Sequence, residues 1–446
     1  MMMRELPWRD PGQVFLTLAD APGFAFLDSA ANDDPRAKVS YIGLDPVAIL
    51  RLDPLVDDPY ARLGAWLEEM RPADHAPPVS WPFAFAGGAV GWLGYDLGCH
   101  AAGVQSRFAP MPGLPGGWFG LYDTLLAFDH GQKRLFALAG DRNAGDAPAR
   151  LADFTARLAE PLPPMPPVAR PDWRAELPPA QYKARIEALR TYIAAGDVYQ
   201  ANFTTRFSAP RAAAFQPAAY YAALRRRSPA PFAAYLDGGD GVVLCCTSPE
   251  RFLRLVPDGL VETRPIKGTA PRAADQAADA AFAAQLLASP KERAENLMIT
   301  DLLRNDLGQV CETGSIDVPQ LLAVESYAQA HHLVSAVTGR LRAGLGPTDL
   351  LRATFPGGSI TGAPKRRAMQ IIDALESAPR GAYCGMLGWI GHDGAMDSAI
   401  IIRTLVATRE RLYAQAGGGI TWDSDPAAEY AEMRLKLEKL LEGCDG

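Results

Sequence analysis

"PPAQYKARIEALRTYIAAGDVYQANFTTRFSA", residues 178–209, runs from an amphipathic helix directly into a strand. Tyr182, Ile186, Leu189 and Ile193 recur at spacings of four, three and four, which places them on one helix face. Gly196 follows as a natural left-handed stop. From Val198 to Phe207 the pattern changes to alternation, the period of a strand. The same mixture continues downstream. Strands are expected at 242–247, 251–256, 398–406 and 411–416, and helices near 274–287, 290–307, 364–376 and 426–441. These elements do not alternate as βαβ units, so the pattern predicts an α+β fold and not a doubly wound sheet.

Upstream, "EPLPPMPPVARPDW" (160–173) is so rich in proline that neither helix nor central strand can run through it. It reads as a linker between an N-terminal region, 1–165, and a second region, 166–446. In the first region, "AFAGGAVGWLGYD" (84–96) and "GWFGLYDTLLAFD" (117–129) are short β-type runs separated by turn residues. No repeat of solenoid length is visible.

Composition narrows the function classes. Apolar residues make up 48% and charged residues 21%, the balance of a globular chain that buries a core. The net charge of −7 disfavours nucleic acid as main partner, because phosphate binding needs concentrated basic surface. The one basic run, Arg225-Arg226-Arg227, reads as a solvated helix end. Six scattered cysteines without C-x-x-C spacing argue against a zinc site or disulfide framework and for reduced thiols in a cytoplasmic protein. No run is long and apolar enough for a signal peptide or a membrane span.

Four stretches can carry chemistry. The helix from 290 opens with Ser289-Pro290-Lys291-Glu292, an N-cap serine, a first-turn proline and a capping-box glutamate. On it Glu295 shares a face with Met298, Ile299, Leu302 and Asp306, and a carboxylate on an apolar stripe must be paired, protonated or bound to a cation. Taken alone, an ion pair with an arginine is the simpler account. The last helix, capped by Asp425, carries Glu429, Glu432, Lys436 and Lys439 on one strip, which by itself reads as an exposed Glu432–Lys436 pair. Two glycine-rich turns, "FPGGSITGAPK" (355–365) and "AGGGITWDSDP" (416–426), precede helices and suit an anion. The first fails the phosphate-loop test, since Pro364 intervenes and no Ser or Thr follows Lys365. Finally, "TRPIKGTAPR" (263–272) holds Lys267, one of 8 lysines against 36 arginines. Exposure and inertness are the default for such a lysine, whereas a deprotonated amine in a protected site is a nucleophile.

Together, "GDVYQANFTTRF", "SPERF", "TRPIKGT", "KERAENLMITDLLRNDLG", "HHLVSAVTG", "FPGGSITGAPKRRAMQIID", "IIRT" and "AGGGITWDSDPAAEY" resemble the chorismate-utilising enzymes over 175–446. "FLDSA" (26–30) and "YIGLDP" (41–46) resemble weaker signatures of the same family. The resemblance implies two packed β-sheets forming a sandwich-like core with helices outside, as in anthranilate synthase component I. Within the family, the P-I-K-G-T spelling around Lys267 resembles aminodeoxychorismate synthase component I, where the anthranilate branch reads P-I-A-G-T. Gln200 stands where isochorismate and salicylate synthases carry a water-activating lysine, which disfavours hydration.

The resemblance also implies roles. Glu295 and Glu432 match two carboxylates that hold magnesium. Arg403, Tyr383, Gly418, Gly419 and Lys436 match positions that cradle the carboxylates and enolpyruvyl group of chorismate. His332 and Ser359, with Thr269, match the lining of the ring site. Lys267 would add at C2 of chorismate as the C4 hydroxyl leaves, with Glu250 as general acid, and ammonia would then attack C4 and displace the lysine from C2 to give 4-amino-4-deoxychorismate. No stretch resembles a glutamine amidotransferase, so ammonia is expected from a separate glutaminase subunit. A tryptophan pocket, a further family feature, is expected around Ser29, Pro231 and Phe232. The rival expectations are an anthranilate synthase large subunit, which needs pyruvate elimination, and a non-catalytic chorismate- or tryptophan-binding regulatory subunit.

Overall fold

The strand Val242–Ser248 shows how the layers are built. Val243 and Cys245 point into one apolar layer, Leu244 and Cys246 into another, as the period of two requires. In the computed structural model, which describes residues 1–446 apart from 32–33, 73–79, 141–145, 160–167, 169, 328–329 and 443–446, this strand sits inside the larger of two antiparallel sheets. Most of the expected linker and Cys444 therefore lie outside the described residues.

The larger sheet has twelve strands, from Met2–Leu6 at one edge to Gln200–Pro210 and Gly362–Ala363 at the other. The smaller has ten and carries Ile266–Pro271, Ala330–Arg340, Arg251–Leu255, Met396–Ile400 and Met386–Gly391. Strands from both sides of residues 160–173 enter each sheet. Between the sheets lies an aromatic layer in which Trp92 and Trp118 stack at 5.4 Å between ring centroids. The helices cover the outer faces, with Pro179–Ala194, Pro217–Arg227 and Pro426–Leu441 on the larger sheet and Pro290–Gly308 and Pro347–Thr354 on the smaller. This is the α+β sandwich expected.

The helix and strand of residues 178–209 form as read: Pro179–Ala194, then Gln200–Pro210, with Gly196 at φ +82°. Tyr182, Ile186 and Leu189 are buried. Pro290–Gly308 begins with the Ser289 hydroxyl accepting the Glu292 N–H at 3.4 Å, and Pro426–Leu441 with Asp425 accepting from Ala427 and Ala428. No helix among the described residues is long and apolar enough to cross a membrane.

Three expectations need correction. The single strand expected at 398–406 is two strands in different sheets, Met396–Ile400 in the smaller and Thr404–Ala407 in the larger. Apolar patterning cannot reveal that switch, because the residues on both sides of it are buried. Likewise, the run 117–129 divides at Asp123, one half in each sheet. Arg225 is also no solvated helix end: its guanidinium donates to both oxygens of Asp28, at 2.6 and 3.0 Å, and Tyr221 donates to the same carboxylate at 3.0 Å.

Candidate active site

Two chain segments cross from one sheet to the other side by side, and a candidate site residue sits in each. Val242–Ser248 leads through Pro249-Glu250 into Arg251–Leu255, while Met396–Ile400 leads through Ile401–Arg403 into Thr404–Ala407. The crossings are tied together, with Ile400 N–H donating to Glu250 O at 3.2 Å and Thr247 N–H to Arg403 O at 3.1 Å. Arg403 is held at φ +49°, a left-handed conformation that a non-glycine residue rarely adopts. Glu250 is buried, and desolvation raises its carboxyl above the ordinary value against the opposing pull of a Ser359 hydrogen bond and of Lys267, Lys436 and Arg403. Burial conversely lowers Arg403, and Glu250 partly restores it.

Lys267 lies in a bulge. Ile266 pairs with Val334 and Thr269 with His332, so Lys267 and Gly268 fall outside the ladder, and Gly268 takes φ +85°. A Cβ at Gly268 would meet Glu292 at 2.8 Å and Leu286 at 2.9 Å. The half-buried lysine reaches the glycine-rich turn, where its Nζ is 3.5 Å from Ser359 O. The hydroxyl of the same Ser359 donates to Glu250 Oε1 at 2.8 Å. Lysine, serine and glutamate thus form one group.

The second glycine-rich stretch, in the strand Arg411–Ile420, forms the adjoining wall. A Cβ at Gly419 would stand 2.1 Å from Gln200 Nε2 and 3.2 Å from Lys267 Nζ; one at Gly418 would stand 3.1 Å from Glu429 Oε2 and 3.9 Å from both Glu432 Oε1 and Lys436 Nζ. Only glycine leaves these side chains their space. Gln200 is fully buried, and neither its amide nitrogen nor its oxygen has a hydrogen-bond partner among the described residues. Sequence reading used Gln200 only to disfavour hydration; its orphaned amide, beside Lys267, marks it as part of the site.

The carboxylates lie close by. Lys291 Nζ is 4.0 Å from Glu295 Oε1 and 3.8 Å from Glu429 Oε1. Burial raises Glu295 despite Lys267 and Lys291, and its Oε1 has no hydrogen-bond partner. No arginine pairs with it among the described residues; its ion-pair partner is Lys291 of the same helix, at the long distance of 4.0 Å. Glu432 is exposed and forms the expected pair with Lys436, at 2.7 Å; desolvation raises its carboxyl, but Lys436 together with Lys291 and Lys267 brings it below the ordinary value. Lys436 also donates to Gly417 O at 3.0 Å. Glu429, expected only as a member of the charged strip on the last helix, is buried instead: its carboxyl is raised by burial, and it accepts from Ser424. Its place three residues before Glu432 was the available signal. An orphaned carboxylate oxygen facing further carboxylates suits a hard divalent ion. Among the described residues, no three His, Cys, Asp or Glu side chains converge as a closed metal site.

His332 flanks the group, with Nδ1 3.0 Å from Thr269 Oγ1; burial and then Arg403 and Arg36 push its ring down to about 4, so it is neutral at pH 7. Tyr383 sits apart, its ring in the apolar layer behind the smaller sheet, and burial drives its hydroxyl well above the ordinary value. Ser29, Pro231 and Phe232 line a separate cavity of 760 Å³ between the sheets, with Arg36, Tyr41 and Arg251.

Comparison with known proteins agrees with this architecture. The sequence pattern of the family described as "chorismate binding enzyme" matches residues 24–442, and the chain belongs to that family. It is 42% identical over 453 residues to "Aminodeoxychorismate synthase" of Streptomyces pristinaespiralis, covering 95% of this chain and 62% of that one. It is 40% identical over 451 residues to "Aminodeoxychorismate synthase component 1" of Salmonella typhimurium, covering 98% and 96%. The crystal structure of anthranilate synthase component I from Streptococcus pneumoniae TIGR4 superposes with a TM-score of 0.81 at 31% identity, covering 91% of this chain and 92% of that one.

Proposed function

We propose that the chain is the chorismate-aminating component of an aminodeoxychorismate synthase, converting chorismate and ammonia to 4-amino-4-deoxychorismate, the precursor of p-aminobenzoate and folate. The observation that carries this reading is the Lys267–Ser359–Glu250 group, which sets an amine and a buried carboxyl on one serine. Lys267, as the free amine, adds to C2 of chorismate; the ring double bond shifts and the C4–O bond breaks. The departing hydroxyl takes its proton from Glu250 and leaves as water, since hydroxide is a poor leaving group. Burial keeps Glu250 protonated to higher pH than an ordinary glutamate, as an acid in this role needs. Ammonia then attacks C4, the double bond returns, and Lys267 leaves C2.

Arg403, Lys436 and the N–H groups of Gly418 and Gly419 bind the substrate carboxylates, while His332, Thr269 and Ser359 border the ring. Glu295 and Glu432 are suited to hold Mg2+. The bound ion supplies charge neutralisation for a substrate carboxylate and the developing charge. Residues 1–165 complete the sheets around a chorismate-binding region 166–446. A cytoplasmic location, a glutamine amidotransferase subunit as ammonia source, and tryptophan in the cavity at Ser29, Pro231 and Phe232 complete the proposal.

The test is incubation of the pure chain with chorismate, Mg2+ and ammonium, with the product identified by mass and fluorescence. 4-Amino-4-deoxychorismate is expected. Anthranilate would replace the reading with that of the anthranilate branch, and binding without turnover would leave a regulatory subunit. Lys267→Ala should lose most amination while still binding chorismate.

A further inference from the structure

The lysine of the first glycine-rich turn does not face a ligand. Lys365 Nζ donates to Asp306 Oδ2 at 2.6 Å and to Thr354 O at 2.8 Å, with the lysine side chain 17% exposed and the aspartate 5%. Thr354 ends the helix Pro347–Thr354 and Lys365 begins the helix Lys365–Leu375. One ammonium therefore ties the entry of the loop 355–364 to its exit. Asp306 anchors that tie to the helix Pro290–Gly308, three turns beyond Glu295 and on the same face. Within the loop, the Thr361 hydroxyl donates to Gly357 O at 2.9 Å, and Gly358 packs on Leu302 so closely that a Cβ would stand 2.7 Å from it. The free tip is Ser359, the residue that touches both Lys267 and Glu250.

We propose that Lys365, anchored by Asp306, is a positioning residue that locks the 355–364 loop in register with the helix bearing Glu295, so that Ser359 keeps Glu250 and Lys267 at their working separation. The proposal rests on the functional reading above for the reaction it serves. An apolar pair in the same space is often as stable as a buried ion pair, so stability alone does not account for it. What an apolar pair lacks is the directional bond to Thr354 O. Catalytic groups must be held within about 0.5 Å, and a displacement of about 1 Å can cost roughly 100-fold in rate.

The test is the double variant Lys365→Met/Asp306→Leu, which leaves no lone charge in the interior. The expected result is a thermal midpoint near that of the unmodified chain, kcat for ammonia-dependent amination lower by roughly 100-fold, and little change in KM for chorismate. Hydrogen–deuterium exchange should quicken in 355–364 alone, and the alkaline limb of the rate profile should move to higher pH as Ser359 releases Glu250. Unchanged exchange in the loop, or unchanged kcat, overturns the proposal. If the double variant does not fold, Asp306→Asn decides: it keeps shape and an acceptor, so faster loop exchange with lower kcat supports the lock, and values matching the unmodified chain overturn it. Exchange is read without substrate. A chain that fails to aminate chorismate would thus sink the functional reading and leave the loop measurement standing.

Discussion

Ser359 touches both Glu250 and Lys267 at once: its hydroxyl donates to Glu250 Oε1 at 2.8 Å while its carbonyl oxygen lies 3.5 Å from Lys267 Nζ. The bond to Glu250 stabilises the carboxylate and so opposes the desolvation that raises this acid. If Glu250 must be protonated to release the C4 hydroxyl, amination falls as pH rises through its raised value. Ser359→Ala removes a lowering influence, so the descending limb is expected at higher pH than in the unmodified chain. A pH series of kcat at saturating ammonia measures it. A limb that stays in place or moves to lower pH would count against Glu250 as the acid.

Glu250→Gln separates acid from scaffold. The amide keeps an acceptor for Ser359 and fills the same space but has no acidic proton to give. A fall in kcat of roughly 10²–10⁴ is expected, with KM for chorismate nearly unchanged. Steady-state kinetics with ammonium as nitrogen source give the split, and a rise in KM at constant kcat would make Glu250 a binding group only.

Away from the site, Asp28 is fully buried and accepts from Arg225 and Tyr221, while the Arg225 side chain is 16% exposed. Asp28→Ala leaves the guanidinium without its counter-charge, and a loss of about 3–5 kcal/mol is expected. Adding Arg225→Met should recover much of it, because the lone charge is then gone. Urea unfolding of the two variants measures both values; a single-variant loss below about 1 kcal/mol, the range of a surface pair, contradicts this account.

The same pair shows what the sequence conveys and what it hides. Helices with a clear stripe and cap, such as Pro290–Gly308, were readable nearly to the residue, because capping and periodicity are local. Arg225 was misread because its partner, Asp28, lies far away in sequence. The switch at Ile401–Arg403 was hidden for a related reason: both strands are buried, so the apolar run continues while the chain changes sheet. Lys267, Glu250 and Ser359 were legible only through resemblance, since no local pattern joins residues 267, 250 and 359. Glu429 and the orphaned amide of Gln200 needed the fold itself.

Glu295 gives a prediction on metal. Its Oε1 is buried without a hydrogen bond and has the Lys291 ammonium, 4.0 Å away, as its counter-charge, an arrangement that a closer cation would stabilise. Mg2+ should therefore stabilise the unmodified chain by about 2.7 kcal/mol at a hundredfold excess over Kd and so raise its thermal midpoint. In Glu295→Gln the metal-free chain should be as stable or more so, and the Mg2+ increment should vanish. An increment that survives in the variant would remove Glu295 from the metal site.

Gln200 poses the same conflict without a charge. Its amide is fully buried with both polar atoms unpaired, a defect worth about 1–3 kcal/mol in an ordinary core. Such a defect persists where function requires it, and here the nitrogen lies beside Gly419, whose Cβ position is also 3.2 Å from Lys267 Nζ. Gln200→Leu keeps much of the volume and removes the unpaired groups. The variant should melt at a higher temperature and, if the proposed amination runs at Lys267, aminate more slowly, because the amide is then missing from the wall beside Lys267. A lower melting point with full activity would instead make Gln200 a packing residue whose polar atoms find their partners within the fold.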